Sequence, residues 1–214
     1  GGGVAGMEAA RCAALRGHDV TLCEGSDRLG GNLIPAGAHP FKEELNELNR
    51  WYQGQLAQLG VTVELGVRLT AREIQDRSPD AVVLAVGAAP AVPPVPGIDS
   101  PKVIDCVTAL TGPDLPGQRV LVVGGGLVGC EAGLFLQKTG HEVTVVELLG
   151  RLANESFGMY REALIWEMEK CGMAMLPKTR CLEITPTGVK VENAGGVQTL
   201  EADTVLFALG IKSV

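Results

Sequence analysis

The sequence of 214 residues lacks two features that mark large classes of protein. No apolar run approaches the roughly 18 residues that a membrane-spanning helix requires. Positive charge is scarce, because 18 Lys and Arg stand against 25 Asp and Glu and leave a net charge of −7. An acidic surface repels phosphate backbones and anionic lipids, so the sequence predicts neither a nucleic-acid partner nor a membrane partner.

Paired cysteines are also missing. The six cysteines, at positions 12, 23, 106, 130, 171 and 181, form no CxxC or CxxxxC pair and no metal-ligand spacing. This pattern indicates scattered, reduced thiols and no metal site. No signal-peptide pattern is present either, and we therefore predict a cytoplasmic protein.

Glycine, in contrast, is abundant, with 29 residues, and one glycine-rich segment occurs twice. GGGVAGMEAARCAALRGHDVTLCE at 1–24 matches GGGLVGCEAGLFLQKTGHEVTVVE at 124–147 in 11 of 24 positions, after a shift of 123 residues. The same shift aligns DAVVLAVG at 80–87 with DTVLFALG at 203–210. Both of these short apolar runs are predicted to be strands buried on both faces of a parallel sheet. The chain therefore repeats one whole domain.

The second copy has the pattern of a dinucleotide-binding unit. The strand Arg119–Val123 precedes Gly124, Gly126 and Gly129, a helix follows, and the strand VTVV ends at Glu147. In this pattern the first glycine forms the turn, the second lets backbone N–H groups approach a pyrophosphate, and the third packs helix on strand. The carboxylate, 18 residues after the third glycine, is placed to accept hydrogen bonds from a ribose.

The first copy has Gly1, Gly3, Gly6 and Glu24 at the same spacing. No strand precedes its first glycine. We therefore predict two dinucleotide sites in a fragment of a longer protein, in which the first domain lacks its first strand.

The predicted fold class is α/β, with two Rossmann-like, three-layer domains built on parallel sheets. The first domain spans residues 1–108 and the second spans 109–214, with a proline-rich crossing at 88–118. Apolar spacing predicts helices at 41–59, near 107–110 and at 160–170, and a third strand of the first domain at 61–65. Three short alternating runs, at 181–185, 189–192 and 197–200, predict a small antiparallel meander in the second domain.

Several stretches resemble a known family. GGGVAGMEAARCAALRGHDVTLCEGSDRLGGNLIPAGAHPFKEELNELNRWYQGQL, PDAVVLAVGAAPAVPPVPG and RVLVVGGGLVGCEAGLFLQKTGHEVTVVE are similar to the FAD- and NAD(P)H-binding portion of the 2-enoate and 2,4-dienoyl-CoA reductases. These old yellow enzyme-like NADH:flavin oxidoreductases share the pyridine nucleotide-disulfide oxidoreductase fold. The resemblance implies an upstream barrel domain of the same polypeptide, which carries FMN and a [4Fe–4S] cluster outside this chain and reduces an activated C=C bond. It also implies that the first domain lacks its C-terminal return, because nothing after Gly210 supplies the motif that the family has there.

The resemblance also implies roles for individual residues. The FAD pyrophosphate would lie against Gly1, Gly3 and Gly6, with Glu24 on the ribose, and NADH would be held by Gly124, Gly126, Gly129 and Glu147. Further cofactor-binding residues implied by the family are Arg28, Gly30, Gly31, Asn32, Val67, Gly87 and Gly210. The family usually has Thr before the glycine at 87, where this chain has Val86. Hydride transfer needs stacking and distance more than an acid or base, so no catalytic residue is predicted.

Three alternatives stay open at this point. NADPH is the less favoured coenzyme, because Glu147 would repel a 2′-phosphate, although Arg151 could reach one. In trimethylamine dehydrogenase-like relatives the equivalent region holds ADP without redox chemistry, and a dithiol or peroxide reductase is disfavoured by the cysteines. His18 and His141 are interpreted as structural. His39 lies in the loop after RLGGNLIPAG, where the family's flavin is close, and is interpreted as an exposed loop residue. A homo-oligomer is compatible with the sequence.

Overall fold

The computed structural model describes residues 1–112, 115 and 117–214. It divides into two compact units: Gly1–Ala89 with Ser213–Val214, and Pro90–Lys212. This division falls earlier in the chain than the boundary predicted between 108 and 109, because residues after Pro90 join the sheet of the second unit. Positions 113, 114 and 116 of the predicted crossing lie outside the described residues.

The first unit follows the predicted order of helix, strand, helix and strand. Its elements are α1 (Val4–Leu15), β1 (Thr21–Glu24), α2 (Leu33–Ala36), a 3₁₀ turn (Pro40–Lys42), α3 (Glu43–Gln58), β2 (Thr62–Leu65) and α4 (Ala71–Arg77). Strands β1 and β2 pair in parallel. The core of this unit consists of Met7, Ala10, Leu22, Leu29, Leu33, Tyr52, Leu56 and Val61. It forms because the apolar faces of α1 and α3 pack together beside Leu22 of β1, whereas β2 contributes no side chain to it.

One prediction for the first unit is wrong. Residues 80–87 form no strand, and the side chains of Val83 and Leu84 are 70% and 76% exposed. The equivalent residues of the second unit lie between two neighbouring strands, whereas no strand of the described first unit pairs with 80–87. An apolar run becomes a buried strand only where partners supply the hydrogen bonds and cover both faces.

The second unit is a three-layer α/β structure. Its parallel sheet has the order β4 (Val103–Asp105), β11 (Thr204–Phe207), β5 (Arg119–Val123), β6 (Glu142–Val146) and β7 (Ala174–Leu176). The helices α5 (Cys106–Thr111), α6 (Leu127–Lys138) and α7 (Gly158–Lys170) contribute to the core on one face. The meander β8 (Arg180–Thr185), β9 (Gly188–Asn193) and β10 (Gly196–Glu201) covers the other. The predicted fold class is confirmed.

The two remaining strands are short. They are β3 (Ala88–Pro90) and β12 (Ile211–Ser213), and they lie where the chain passes from one unit to the other. No helix in the described part of the chain is both long enough and apolar enough to cross a membrane.

Candidate nucleotide sites

The second glycine loop connects β5 to α6 and requires glycine at two positions. Gly124 has a φ of +105°, and a Cβ there would lie 2.5 Å from Ala208 O. A Cβ on Gly129 would lie 1.9 Å from Gly124 O. Both distances are far below a van der Waals contact. A side chain at Gly124 would push the loop away from the end of β11, and one at Gly129 would push α6 away from the loop. The loop thus has the close helix–strand packing of a dinucleotide-binding turn.

Gly126 is the N-cap of α6 and has no side chain of its own to cover the N-terminus of the helix. The three atoms nearest to a Cβ at this position all belong to the Glu155 side chain, with Oε1 at 2.7 Å. Leu127 N–H donates to the same carboxylate oxygen at 2.5 Å. The first N–H group of α6 therefore faces an anion already, which shows that the position suits negative charge.

Glu147 lies at the carboxyl end of β6 in a fixed orientation. Its Oε2 accepts a hydrogen bond from Gly125 N–H and its Oε1 accepts one from Leu149 N–H, both at 2.7 Å. A cavity of about 280 Å³ at the same edge of the sheet is lined by Glu147, Gly124 and Arg180, among others. The carboxylate is therefore held where a ribose at this edge could donate to it.

Glu24 repeats this arrangement in the first unit. Its Oε2 accepts from Gly2 N–H at 2.5 Å, and its Oε1 accepts from Ser26 N–H at 2.7 Å. Burial raises the pKa of this carboxyl, but the hydrogen bonds from Gly2 and Ser26 outweigh burial and lower the pKa below its ordinary value. Glu24 is therefore a preorganised carboxylate, equivalent to Glu147.

The first glycine loop has the same tight contacts as the second. A Cβ on Gly1 would lie 2.1 Å from Ala85 O, and a Cβ on Gly6 would lie 1.7 Å from Gly1 O. At Gly3, in contrast, the nearest atom within 4 Å is Gly31 Cα at 3.9 Å. Two glycines of the loop are therefore needed for packing, and the middle one leaves room for a ligand to approach the backbone.

The segment RLGGN at 28–32 folds back over the first loop. Gly30 N–H donates to Gly2 O at 2.9 Å, and a Cβ on Gly31 would lie 2.9 Å from Gly3 Cα. Arg28 and Asn32 are exposed beside this contact. The structure thus brings the four residues implied by the family resemblance next to the predicted phosphate loop.

The second unit has an equivalent of this segment that the sequence reasoning missed. A shift of 123 aligns RLGGN with RLANE at 151–155, and Ala153 N–H donates to Gly125 O at 2.7 Å, as Gly30 does to Gly2. Ala153 even keeps a left-handed φ of +47°. The signal was present in the sequence, since the shift that aligns the glycine loops aligns these segments as well.

The other predicted site residues lie at the ends of strands. Val67 N–H donates to Glu24 O at 2.9 Å, next to the preorganised carboxylate. Gly87 and Gly210 occupy equivalent positions and have left-handed φ values of +76° and +94°. Arg151, considered for a 2′-phosphate, is exposed.

A carboxyl–tyrosine contact also recurs and was not predicted. In the second unit the Tyr160 hydroxyl donates to Glu131, which is 6% exposed on α6, and in the first unit Glu8 on α1 contacts Tyr52. Burial first, and then the hydrogen bond to Glu131, raises the pKa of Tyr160 above its ordinary value. Glu8 and Glu131 are identical under the 123-residue shift, whereas the tyrosines are not aligned by it. Sequence comparison of the two copies therefore could not reveal these pairs.

The histidines differ from one another in burial. His39 is 2% exposed and stacks on Phe41 with a 5.2 Å separation of ring centroids, so its interpretation as an exposed loop residue is wrong. His141 is half-buried at its turn and His18 is exposed. The packing of His39 comes from the 3₁₀ turn after it, which periodicity does not detect.

A second cleft, of about 450 Å³, lies at the opposite edge of the second sheet. Its cation Arg119 pairs with Asp203 and Glu201, and Lys102 Nζ donates to two backbone carbonyls. Because these charges are satisfied within the protein, the edge that carries the glycine loop is the better candidate. No group of three or more metal-ligating side chains occurs within residues 1–112, 115 and 117–214.

Two glycine loops, each followed by a helix and by a carboxylate at the end of the next strand, define a protein with two dinucleotide-binding folds. The chain matches the family described as pyridine nucleotide-disulphide oxidoreductase over residues 1–214. The chain therefore belongs to this family.

Comparison with individual proteins confirms the resemblance to the 2-enoate reductase group. The chain is 40% identical over 212 residues to the bilirubin reductase of Mediterraneibacter gnavus, covering 99% of this chain and 33% of that protein. It is 46% identical over 148 residues to the cinnamate reductase of Clostridium sporogenes, covering 69% and 22% of the two chains. The structure of a 2-naphthoyl-CoA reductase matches with a TM-score of 0.94 at 33% identity, over 99% of this chain and 32% of that one. The chain thus spans about a third or less of the length of these relatives.

Proposed function

We propose that this chain binds FAD at its first glycine loop and NADH at its second, and that it passes electrons from NADH to FAD. The observation that carries the proposal is the repeated preorganised carboxylate, Glu24 and Glu147, beside two loops that each place a glycine at the N-cap of the following helix. Bound FAD would supply the two-electron acceptor for the hydride of the nicotinamide.

The residues of the chain would bind and orient the two cofactors. Gly3 and the N-terminus of α1 would receive the FAD pyrophosphate, and Gly126 and the N-terminus of α6 would receive that of NADH. The further FAD contacts are assigned to Arg28, Gly30, Gly31, Asn32, Val67 and Gly87, and Gly210 to the strand end beside NADH. No acid or base of the chain is needed for this step.

The electrons would continue to FMN and a [4Fe–4S] cluster in a barrel domain of the same polypeptide, where an activated C=C bond is reduced. This part of the proposal is supported by the relatives, which are named reductases of cinnamate, bilirubin and 2-naphthoyl-CoA and are about three or more times as long as this chain. A cytoplasmic location is proposed with it, because all six cysteines are free.

Dithiol chemistry is disfavoured by the thiols themselves. The six cysteines form no disulfide, and burial raises the pKa of Cys130 to about 12. A buried thiol that stays protonated is a poor nucleophile. The alternative of an ADP-binding, non-redox unit rests on the trimethylamine dehydrogenase-like relatives and predicts a different ligand at the first loop.

The deciding experiment uses the full-length holoprotein. We expect that denaturation releases FAD in addition to any FMN, and that NADH added without oxygen bleaches the visible flavin band. Release of ADP in place of FAD, with no bleaching beyond that of FMN, would exclude the electron-entry function and support the nucleotide-binding alternative.

Coenzyme choice is tested separately at Glu147. Because a carboxylate at this position accepts from a ribose 2′-OH and repels a 2′-phosphate, Glu147→Gln should lower the preference for NADH over NADPH by about tenfold. The ratio of kcat/KM for the two coenzymes measures the effect, and Glu142→Gln at the exposed start of β6 is the matched control. An unchanged ratio would show that Glu147 does not face the ribose.

A further inference from the structure

The two glycine loops differ in the charge of one residue outside the loop itself. In the second unit Glu155 Oε1 accepts the N–H of Leu127, the first residue of α6. The shift of 123 residues places Asn32 at the equivalent position of the first unit. The loop that we assign to FAD therefore has a neutral amide where the loop that we assign to NADH has a carboxylate.

The Glu155 carboxylate lies against the glycine that we expect a phosphate of the coenzyme to approach. Its Oε1 is 2.7 Å from the position of a Cβ on Gly126, the glycine whose missing side chain opens the loop. At the first loop the nearest atom to the corresponding position on Gly3 is 3.9 Å away and belongs to the backbone of Gly31. A pyrophosphate can approach Gly3 directly, but at Gly126 it must first displace the carboxylate.

The backbone keeps Glu155 in place but leaves its side chain free to rotate outward. Ala153 N–H donates to Gly125 O, which fixes the segment 151–155 over the loop. Glu155 itself is exposed, so its side chain can turn into solvent when a ligand arrives. The Glu155 carboxylate can thus bind the N-terminus of α6 reversibly, in place of a ligand.

We infer that Glu155 competes with the phosphates of the nicotinamide dinucleotide and keeps its binding weaker and more reversible than binding at the first loop, where Asn32 replaces it. This inference rests on the proposed function. The carboxylate would assist turnover, because the oxidised coenzyme must leave after each cycle and Glu155 can replace its phosphates at the N-terminus of α6. A flavin that stays bound needs no such replacement.

The test measures binding of NAD⁺ to the full-length holoprotein by calorimetry, because NAD⁺ carries the same phosphates and cannot reduce the flavin. Glu155→Gln and Glu155→Ala should both lower the Kd for NAD⁺ by at least about fivefold, since both remove the competing charge. Added salt should reduce the difference from the unmodified protein, because salt screens the repulsion. Glu169→Gln, an exposed position on α7, removes the same charge elsewhere and should leave the Kd unchanged.

The reciprocal change places the charge at the first loop. Asn32→Glu should increase the dissociation constant of FAD by at least about fivefold, whereas Asn32→Gln, its neutral control, should change it by much less. A Kd for NAD⁺ that is the same in the unmodified protein and in both Glu155 variants would overturn the inference and leave the proposed function intact. If no NAD⁺ binding is detected in any of these proteins while FAD is retained, both the inference and the assignment of the second loop are wrong.

Discussion

The last apolar segment of each unit differs in burial although the repeat makes the two segments equivalent. Val205 and Leu206 in β11 are fully buried, whereas the equivalent Val82 and Val83 are 50% and 70% exposed. In the second unit β5 supplies a partner strand, with Val205 opposite Leu121. The first unit has no counterpart of β5 among its described residues. The comparison shows that the same local sequence gains strand structure and burial only from its neighbours.

The largest expected effect comes from truncating leucines at these two segments. Leu206→Ala should lower the free energy of unfolding by about 3 kcal/mol, because it opens a cavity in a packed core. Leu84→Ala should change it by less than about 0.5 kcal/mol, since Leu84 is 76% exposed. Urea denaturation of both variants measures the difference. Equal losses would show that residues 82–86 are covered in solution.

Substitution of the glycine that packs the helix in each loop should weaken nucleotide binding at that loop alone. Gly129→Ala would place a Cβ 1.9 Å from Gly124 O, and Gly6→Ala would place one 1.7 Å from Gly1 O. Each change must shift its helix away from its loop, so we expect at least about tenfold weaker binding of the nucleotide at that loop, or about 1.4 kcal/mol. NAD⁺ titration and FAD content are the measurements.

The informative outcome is selectivity. Gly129→Ala should spare FAD and Gly6→Ala should spare the affinity of the second loop for NAD⁺. Gly54→Ala, on the exposed side of α3 with nothing within 4 Å of its Cβ position, is the control. If either glycine change weakens both nucleotides equally, the two loops do not act as separate sites.

The smallest expected effect concerns Glu8 on α1. The guanidinium of Arg11, which donates to Glu8 at 2.8 Å, lowers the pKa of Glu8 from its ordinary 4.5 to about 2. A carboxyl with a lower pKa in the folded state stabilises the fold above pH 4.5 and loses that contribution as the pH falls toward 2. Glu8→Gln should therefore flatten the acid limb of the stability profile of the first unit slightly.

Thermal unfolding between pH 5 and about 2.5 measures this slope. Asp80→Asn, at an exposed site of the first unit outside its helices, is the matched control. A steeper acid limb in Glu8→Gln than in the unmodified protein would contradict the prediction.

The sequence predicted those parts of the structure that depend on local pattern. Gly124, Gly126 and Gly129 lie in the expected turn because their spacing has a steric cause, and β5 has the predicted bounds. The position of Glu155 against Leu127 was missed, because a capping contact across 28 residues has no periodicity to announce it. The burial of His39 and the exposure of Leu84 were missed for a related reason, since both depend on which elements pack nearby.

The uncovered run AVVLAV at 81–86 has a consequence for handling the protein. Six consecutive uncharged residues, rich in β-branched side chains and free of proline, have the composition of segments that pair with copies of themselves. Wherever this run stays uncovered, it presents backbone groups and apolar side chains to any other molecule that does the same. We therefore expect that concentration-dependent assembly into β-rich aggregates begins at this segment.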